Sequence, residues 1–524
     1  MMVNKDILYK IYNILFFVFL GLIIIYGIYY RYHIYVFNAD NSFASDECRL
    51  AINSLLPWNE LFLKLPNSQC TPPVFSLITK FLLNSTTCIN ESLFRLFPLF
   101  VNILSILLFA FLELKIIKNK FAILVGLILF IINQNLTFFS HFYKHYCADV
   151  LMSIVLLICA IYIKDRNFNL KELFILGILS CICTLFSYTS AIIIAGIFIA
   201  KILSQLTQNQ KINIKNCLVY LSPILIYGIL LTIFVIIPVK QEGFLDWFWF
   251  SHEMNQNHNN HIILSPEYFD GKILENITAY IMSGFFNIKY NSYLFFALIL
   301  TSLLLFYKQN KFLFYFYIAE TIVIPILSLI RIYPFGPDRI ILYTIPLFYI
   351  LLLKSFDITC ITKGKIKKNL SLLIVFVMFI YLNNEYRNIY AGIQYTIRQP
   401  RVFESSPPKY YYQLLKYSDI KPEDYIYFWQ PIEIQFYNKD NLLKINDIHK
   451  QFVGERELEN IEKNKNIFFY LTKEYIYDNY LEYDFVNKFI RNECKIQYSI
   501  FDNFGAKPAY FIKCIKISEA MKHN

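Results

Sequence analysis

Residues 11–30 read Ile-Tyr-Asn-Ile-Leu-Phe-Phe-Val-Phe-Leu-Gly-Leu-Ile-Ile-Ile-Tyr-Gly-Ile-Tyr-Tyr, behind Lys5 and Lys10. A helix needs about 20 mostly apolar residues to cross the hydrocarbon core of a bilayer. This run has that length and carries no charge. A basic start with no small-residue cleavage site after it reads as an uncleaved signal anchor. The pattern then recurs. Apolar runs lie at about 93–114, 121–139, 147–163, 173–187, 190–203, 217–238, 290–307, 312–330, 340–353 and 370–382, so about eleven spans are expected. The composition agrees. Of 524 residues 56% are hydrophobic and only 17% charged, with 51 Phe and 41 Tyr, and the mean hydropathy is +0.43. Ordinary soluble domains carry about 25% charged residues. A soluble enzyme, a disordered chain and a disulfide-stapled mini-protein are excluded.

Residues 385–524 hold 20 basic and 19 acidic side chains, which leaves 29 basic and 19 acidic for the apolar part. Nearly all of the net charge of +11 therefore belongs to the membrane region. There it falls in alternate short loops, beginning with Lys115, Lys118 and Lys120 and ending with Lys363, Lys365, Lys367 and Lys368. This is a positive-inside bias, not a nucleic-acid footprint. It predicts a cytoplasmic N-terminus and, with an odd number of spans, an exoplasmic C-terminal segment. The expected organisation is a transmembrane domain over 1–383 with two long exoplasmic loops, 31–91 and 239–289, and a soluble exoplasmic α/β domain over 384–524. Apolar runs at 424–429 and 466–471 read as buried strands. Residues 495–502 and 509–517 read as a hairpin around Asn503-Phe-Gly505, flanked by Cys494 and Cys514. A helix is expected at 455–463. Trp247 and Trp249, at the head of the second long loop, fit an aromatic belt at the membrane surface.

Chemistry-bearing residues gather in three connections on the exoplasmic side. The first loop carries Ser45-Asp46-Glu47-Cys48-Arg49, two adjacent carboxylates with an arginine close by, then Gln69-Cys-Thr-Pro-Pro73 opening an amphipathic run. The second connection carries Lys144-His-Tyr146-Cys-Ala-Asp149 at the mouth of the fourth span. The third is Arg331-Ile-Tyr333-Pro-Phe-Gly-Pro-Asp-Arg339. A carboxylate can take a proton from an acceptor hydroxyl or amine. Lysine and arginine bind a phosphate and stabilise the charge that develops as it leaves. Carboxylates with cations on one face therefore suit transfer chemistry on a phosphate-bearing lipid. A transporter or flippase predicts ionisable residues near the middle of spans and paired similar halves. By the sequence, the charges keep to the rims.

In order and in topology these motifs resemble the GT-C membrane glycosyltransferases. The segment 45–51 is similar to the Asp-Glu-x-Arg-Tyr-Ala segment of the lipid A aminoarabinose transferases and to the Asp-Glu motif of protein O-mannosyltransferases, with Leu50 in place of the tyrosine. Gln69-Cys-Thr-Pro-Pro73, Glu91-Ser-Leu-Phe-Arg95, Lys144–Asp149 and Tyr333–Arg339 follow the continuation in bacterial members, with Thr71 where the aminoarabinose enzymes have lysine. The resemblance implies an inverting transferase in a bacterial inner membrane. It would move a monosaccharide from a polyprenyl-phosphate donor to a lipid, glycan or protein acceptor. It implies Asp46 as general base, Glu47 beside it and Asp149 as a further catalytic acid. Lys144, Tyr146 and Arg339 would serve the donor phosphate, and Arg49 and Arg331 the acceptor or the framework. Some members bind a divalent metal, and no ligand set in this sequence defines one.

Overall fold

The structure is a computed structural model that describes residues 5–39, 43, 45–63, 65–66, 69–84, 91–164, 169–209, 213–243, 300, 302–307, 310–333, 342–361, 425–428, 445–447, 466–472, 494–502 and 509–516. The chain divides into two units: Met1–Ala39, Pro57–Leu82 and Ser92–Ala391, and Asp40–Leu56, Leu83–Glu91 and Gly392–Asn524. Residues 40–56 and 83–91 of the first loop thus group with the C-terminal part. The expected spans at 370–382 and most of 290–307, the helix at 455–463 and Trp247 and Trp249 lie outside the described residues.

The first unit is helical. Its elements are α1 (Lys5–Asn38), α3 (Pro73–Asn84), α4 (Glu91–Ile116), α5 (Lys120–Ile132), α6 (Gln134–Phe139), α7 (Tyr146–Lys164), α8 (Leu170–Phe186), α9 (Ser190–Thr207), α10 (Ile214–Leu231), α11 (Ile237–Glu242), α12 (Lys311–Leu329) and α13 (Thr344–Ile361), with α2 (Ser45–Ile52) in the second unit. Among the described residues five helical stretches are long and apolar enough to cross a membrane: Asp6–Asn38, Glu91–Ile116, Ser190–Thr207, Ile214–Glu242 and Lys311–Ser328. The chain is an integral membrane protein. Large apolar side chains stay exposed along α1 and α10, among them Phe17, Leu22, Leu225 and Ile229. A bilayer accepts that surface, whereas water would not.

Two local features show the sequence acting on the backbone. Pro238 lacks an N–H and would clash with the carbonyl four residues earlier in a regular helix. The chain answers with a π turn over Thr232–Ile236 between α10 and α11. The run expected as one span at 121–139 is broken at Asn133. Its side chain caps α6 by accepting from Leu136 N at 3.0 Å and donates to Tyr349 Oη at 3.0 Å. An asparagine side chain competes with the helix for backbone partners, and here the competition ends α5.

That break is held by Arg31. The sequence places Arg31 at the start of the first loop, but α1 continues to Asn38 and buries the guanidinium completely. Arg31 donates to Asn102 Oδ1 on α4 at 2.7 Å, to Thr137 Oγ1 on α6 at 2.5 Å and to the Ile131 carbonyl at the end of α5 at 2.7 Å. Asn102 also donates to the Leu136 carbonyl at 3.3 Å. The reading that ionisable groups keep to the rims therefore needs correction. Arg31, Glu113 on α4 and Glu320 on α12 all lie buried inside helices.

At one end of α5, the Asp357 carboxylate on α13 accepts from Lys118 N and Asn119 N at 3.1 and 2.8 Å and pairs with Lys354 at 2.6 Å. The second unit holds a five-stranded sheet: β1 (Tyr425–Phe428), β2 (Ile445–Asp447), β3 (Asn466–Thr472), β4 (Cys494–Asp502) and β5 (Ala509–Lys516). Their order is β2-β1-β3-β5-β4. β1 runs parallel to β2 and β3, and β5 runs antiparallel to β3 and β4. The register sets Cys494 against Lys516 and Cys514 against Ile496, so the two cysteines are not direct cross-strand partners.

Candidate active site

α7 places Asp149 in its first turn, where the unpaired N–H groups favour a carboxylate. Asp149 is buried, with Ser187 Oγ donating to Oδ1 at 2.6 Å. The Thr189 hydroxyl lies 2.8 Å from that of Ser187. Both hydroxyls come from the turn between α8 and α9. Tyr188 in the same turn donates to the Thr71 carbonyl at 3.0 Å. Thr71 Oγ1 and Ser76 Oγ lie 3.0 Å apart, which fastens the entry to α3.

Lys144 precedes α7 in a tight turn closed by its N–H on the Phe142 carbonyl at 2.8 Å. Its side chain is buried and donates from Nζ to Gln69 Oε1 at 2.9 Å. Tyr143 packs on Phe75 and Phe94 with ring centroids at 5.2 and 5.4 Å, and its hydroxyl bonds Thr79. Tyr146 opens α7 with its ring against Phe139 at 5.2 Å. His145 is neutral at physiological pH, because burial and the neighbouring Lys144 hold its imidazole down to about 3. Burial pushes the Cys70 thiol up to about 11, so it is no nucleophile. The Tyr333 phenol is held well above the ordinary range by burial and by the charges of Asp149, Tyr146 and Cys70.

Arg331 caps α12. Its N–H bonds the Ser328 carbonyl at 2.9 Å and Ile332 N bonds the Leu327 carbonyl at 2.8 Å, the two bonds of a Schellman motif. The residue at that position adopts the left-handed region, here with φ 55°, which is normally left to glycine.

The structure thus places Lys144, Tyr146 and Asp149 at one end of α7 in one unit, each with its own partners, and Tyr333 and Arg331 in the same unit. In the second unit α2 carries Asp46, Glu47 and Arg49. Glu47 is buried and Arg49 half-buried. The Asp46 side chain and Arg339 lie outside the described residues. Gln69 belongs to a motif singled out in the sequence, but without a role; Ser187 and Thr189 were not foreseen. The polar triplet Ser187-Tyr-Thr189 between two apolar runs was the available signal for these two, and it reads from sequence only as a boundary. Among the described residues no group of three or more His, Cys, Asp or Glu side chains is arranged to hold a metal ion.

No family model matches the chain, and no curated protein matches its sequence. Solved structures do. The chain is similar to ArnT from Cupriavidus metallidurans bound to undecaprenyl phosphate, with a TM-score of 0.50 and 10% identity over 96% of this chain and 98% of that one. ArnT in the apo state gives 0.47 at 10% identity and the same coverage. The Archaeoglobus fulgidus oligosaccharyltransferase in complex with zinc and sulfate gives 0.43 at 14% identity, covering 93% of this chain and 72% of that one. The match to the lipid-bound ArnT shows that the two chains share a fold.

Proposed function

We propose that the protein is an inverting glycosyltransferase that moves a monosaccharide from a polyprenyl-phosphate carrier to an exoplasmic lipid, glycan or protein acceptor. The observation that carries this reading is a buried lysine and a buried, hydroxyl-held carboxylate at one end of α7, in a fold shared with a protein bound to undecaprenyl phosphate. In the proposed step the acceptor oxygen or nitrogen attacks the anomeric carbon. The carbon–oxygen bond to the phosphate breaks with inversion, and the acceptor proton passes to Asp46. Lys144, Tyr146 and Arg339 take the charge that grows on the departing polyprenyl phosphate. That phosphate is already a good leaving group, so the protein's main task is to place the two substrates in line. Glu47 and Asp149 support the reacting centre, and Arg49 and Arg331 serve the acceptor side or the framework. The lipid tail fits an apolar groove between spans. A bacterial inner membrane with the C-terminal unit outside suits this chemistry.

The test is a labelled polyprenyl-phosphate sugar incubated with membranes and an acceptor extract. Transfer of label that Asp46→Asn abolishes, with folding and insertion intact, supports the reading. Label that crosses the bilayer unchanged supports a flippase instead. Near-normal turnover in the Asp46→Asn protein removes Asp46 from its role.

A further inference from the structure

Residues 66–73 read Pro-Asn-Ser-Gln-Cys-Thr-Pro-Pro, with proline at both ends. Proline fixes φ and leaves the backbone few alternatives. The Pro66 carbonyl accepts from Gln69 N at 3.4 Å, and the Pro72 carbonyl accepts from Phe75 N at 3.1 Å as α3 begins. Between these anchors the segment makes two long-range hydrogen bonds. Gln69 Oε1 accepts from Lys144 Nζ at 2.9 Å, and the Thr71 carbonyl accepts from the Tyr188 hydroxyl at 3.0 Å. Tyr188 follows Ser187, which donates to Asp149 Oδ1 at 2.6 Å. Asp149 lies five residues after Lys144 on the chain that enters α7. The bonds therefore close a ring. It runs from Lys144 across to Gln69, along the backbone to Thr71, across to Tyr188, along to Ser187, and across to Asp149. Tyr143, next to Lys144, also bonds Thr79 on α3, so α3 and its entry hold the Lys144 turn from two sides.

We propose that residues 69–71 are a positioning strap, in which Gln69 and Tyr188 hold the Lys144 ammonium in a fixed place relative to Asp149 for the donor phosphate. The proposal rests on the transferase reading and deepens it: Gln69 and Tyr188 act through Lys144 and are positioning residues. A lysine side chain is flexible and loses much freedom when it binds a ligand. Here burial and the Gln69 bond have already removed that freedom, so the phosphate meets an ammonium already in place. A carboxamide suits the task. Its oxygen takes one of the three ammonium protons and brings no negative charge that would oppose a phosphate. Gln69 is itself only half-buried, so its hold on Lys144 is as firm as the segment that carries it. The Tyr188 bond to Thr71, two residues on, supplies that firmness. The hydrogen-bonded path from Tyr188 to Lys144 thus runs through Gln69, an order of dependence that a general packing role lacks.

The full-length protein in lipid nanodiscs is titrated with undecaprenyl phosphate, and bound lipid is counted by native mass spectrometry. The unaltered protein is expected to bind saturably. Gln69→Met should weaken binding about tenfold and Tyr188→Phe roughly threefold, the scales of a hydrogen bond to a charged group and of one between neutral groups. In the Gln69→Met protein, Tyr188→Phe should cost nothing further, and in a Lys144→Met protein neither change should matter. Unchanged affinity in both single variants overturns the strap and leaves the transferase reading standing. Tighter binding by Gln69→Met makes Gln69 a competitor of the phosphate and also overturns it. So does a Tyr188→Phe loss that persists in full in the Gln69→Met background, because packing alone would produce it. Should Gln69→Met fail to fold, Tyr188→Phe, which removes a single oxygen, decides the matter: normal affinity overturns the strap and a threefold loss supports it. Absence of saturable binding by the unaltered protein overturns the transferase reading itself, and the strap with it.

Discussion

Arg31 and Glu320 are both charged in water and both buried in membrane helices, yet their surroundings are opposite. Around Arg31, three acceptors from α4, α5 and α6 meet the three guanidinium nitrogens. Around Glu320, among the described residues, neither oxygen has a hydrogen-bond donor. A fully satisfied buried charge is an architectural part. It holds a break in a helix where the Ile131 carbonyl would otherwise be orphaned. An unsatisfied one must change its protonation or find a ligand, which makes it a functional part. Asp149 stands between the two, buried but held by the Ser187 hydroxyl.

The difference can be broken by substitution. The largest effect is expected at the satisfied end of the scale and at the site. Asp149→Asn should lower sugar transfer by ~10²-fold or more while the protein remains folded, the usual scale for a catalytic acid or base, as read from initial rates. Arg31→Met leaves three acceptors unpaired at about 1 kcal/mol or more each, so thermal unfolding in detergent should show a loss of roughly 3 kcal/mol. A Cβ at Gly196 on α9 would overlap the Glu320 carboxyl, so Gly196→Ala forces it aside and should destabilise by about 1–3 kcal/mol. That cost should vanish in a Glu320→Ala background, a coupling that a double-mutant cycle measures directly. His145, held near 3 against an ordinary value of 6.5, binds fewer protons folded than unfolded between those values. Stability should therefore fall as the pH drops through that window, less steeply in His145→Gln. The smallest effect has the opposite sign: Arg331→Gly relieves the left-handed backbone and should stabilise by about 1 kcal/mol.

The sequence discloses the architecture better than the junctions. Long apolar runs such as 93–114 and 312–330 became α4 and α12, because a bilayer leaves a helix no alternative for its backbone groups. Lys144, Tyr146 and Asp149 were legible as a cluster because they share one short segment. Glu320 was not, since a single acid barely lowers the mean hydropathy of its helix and its glycine neighbour lies more than a hundred residues away. Arg31 was read as the end of a span for a similar reason. A charge marks a boundary in a hydropathy profile, and only the packing of α4 and α6 against α1 reveals that it is buried. The Asn133 break was hidden because one asparagine is tolerated in most helices. Here it caps α6 instead.

The most direct test of the transfer reading is a structure of the full-length protein with a non-transferable polyprenyl-phosphonate sugar bound in lipid. The account predicts the phosphonate against Lys144 and Arg339, with the Asp46 carboxylate facing the anomeric carbon from the opposite side. A sugar bound away from Lys144, or an Asp46 carboxylate turned away from the anomeric carbon, would contradict it.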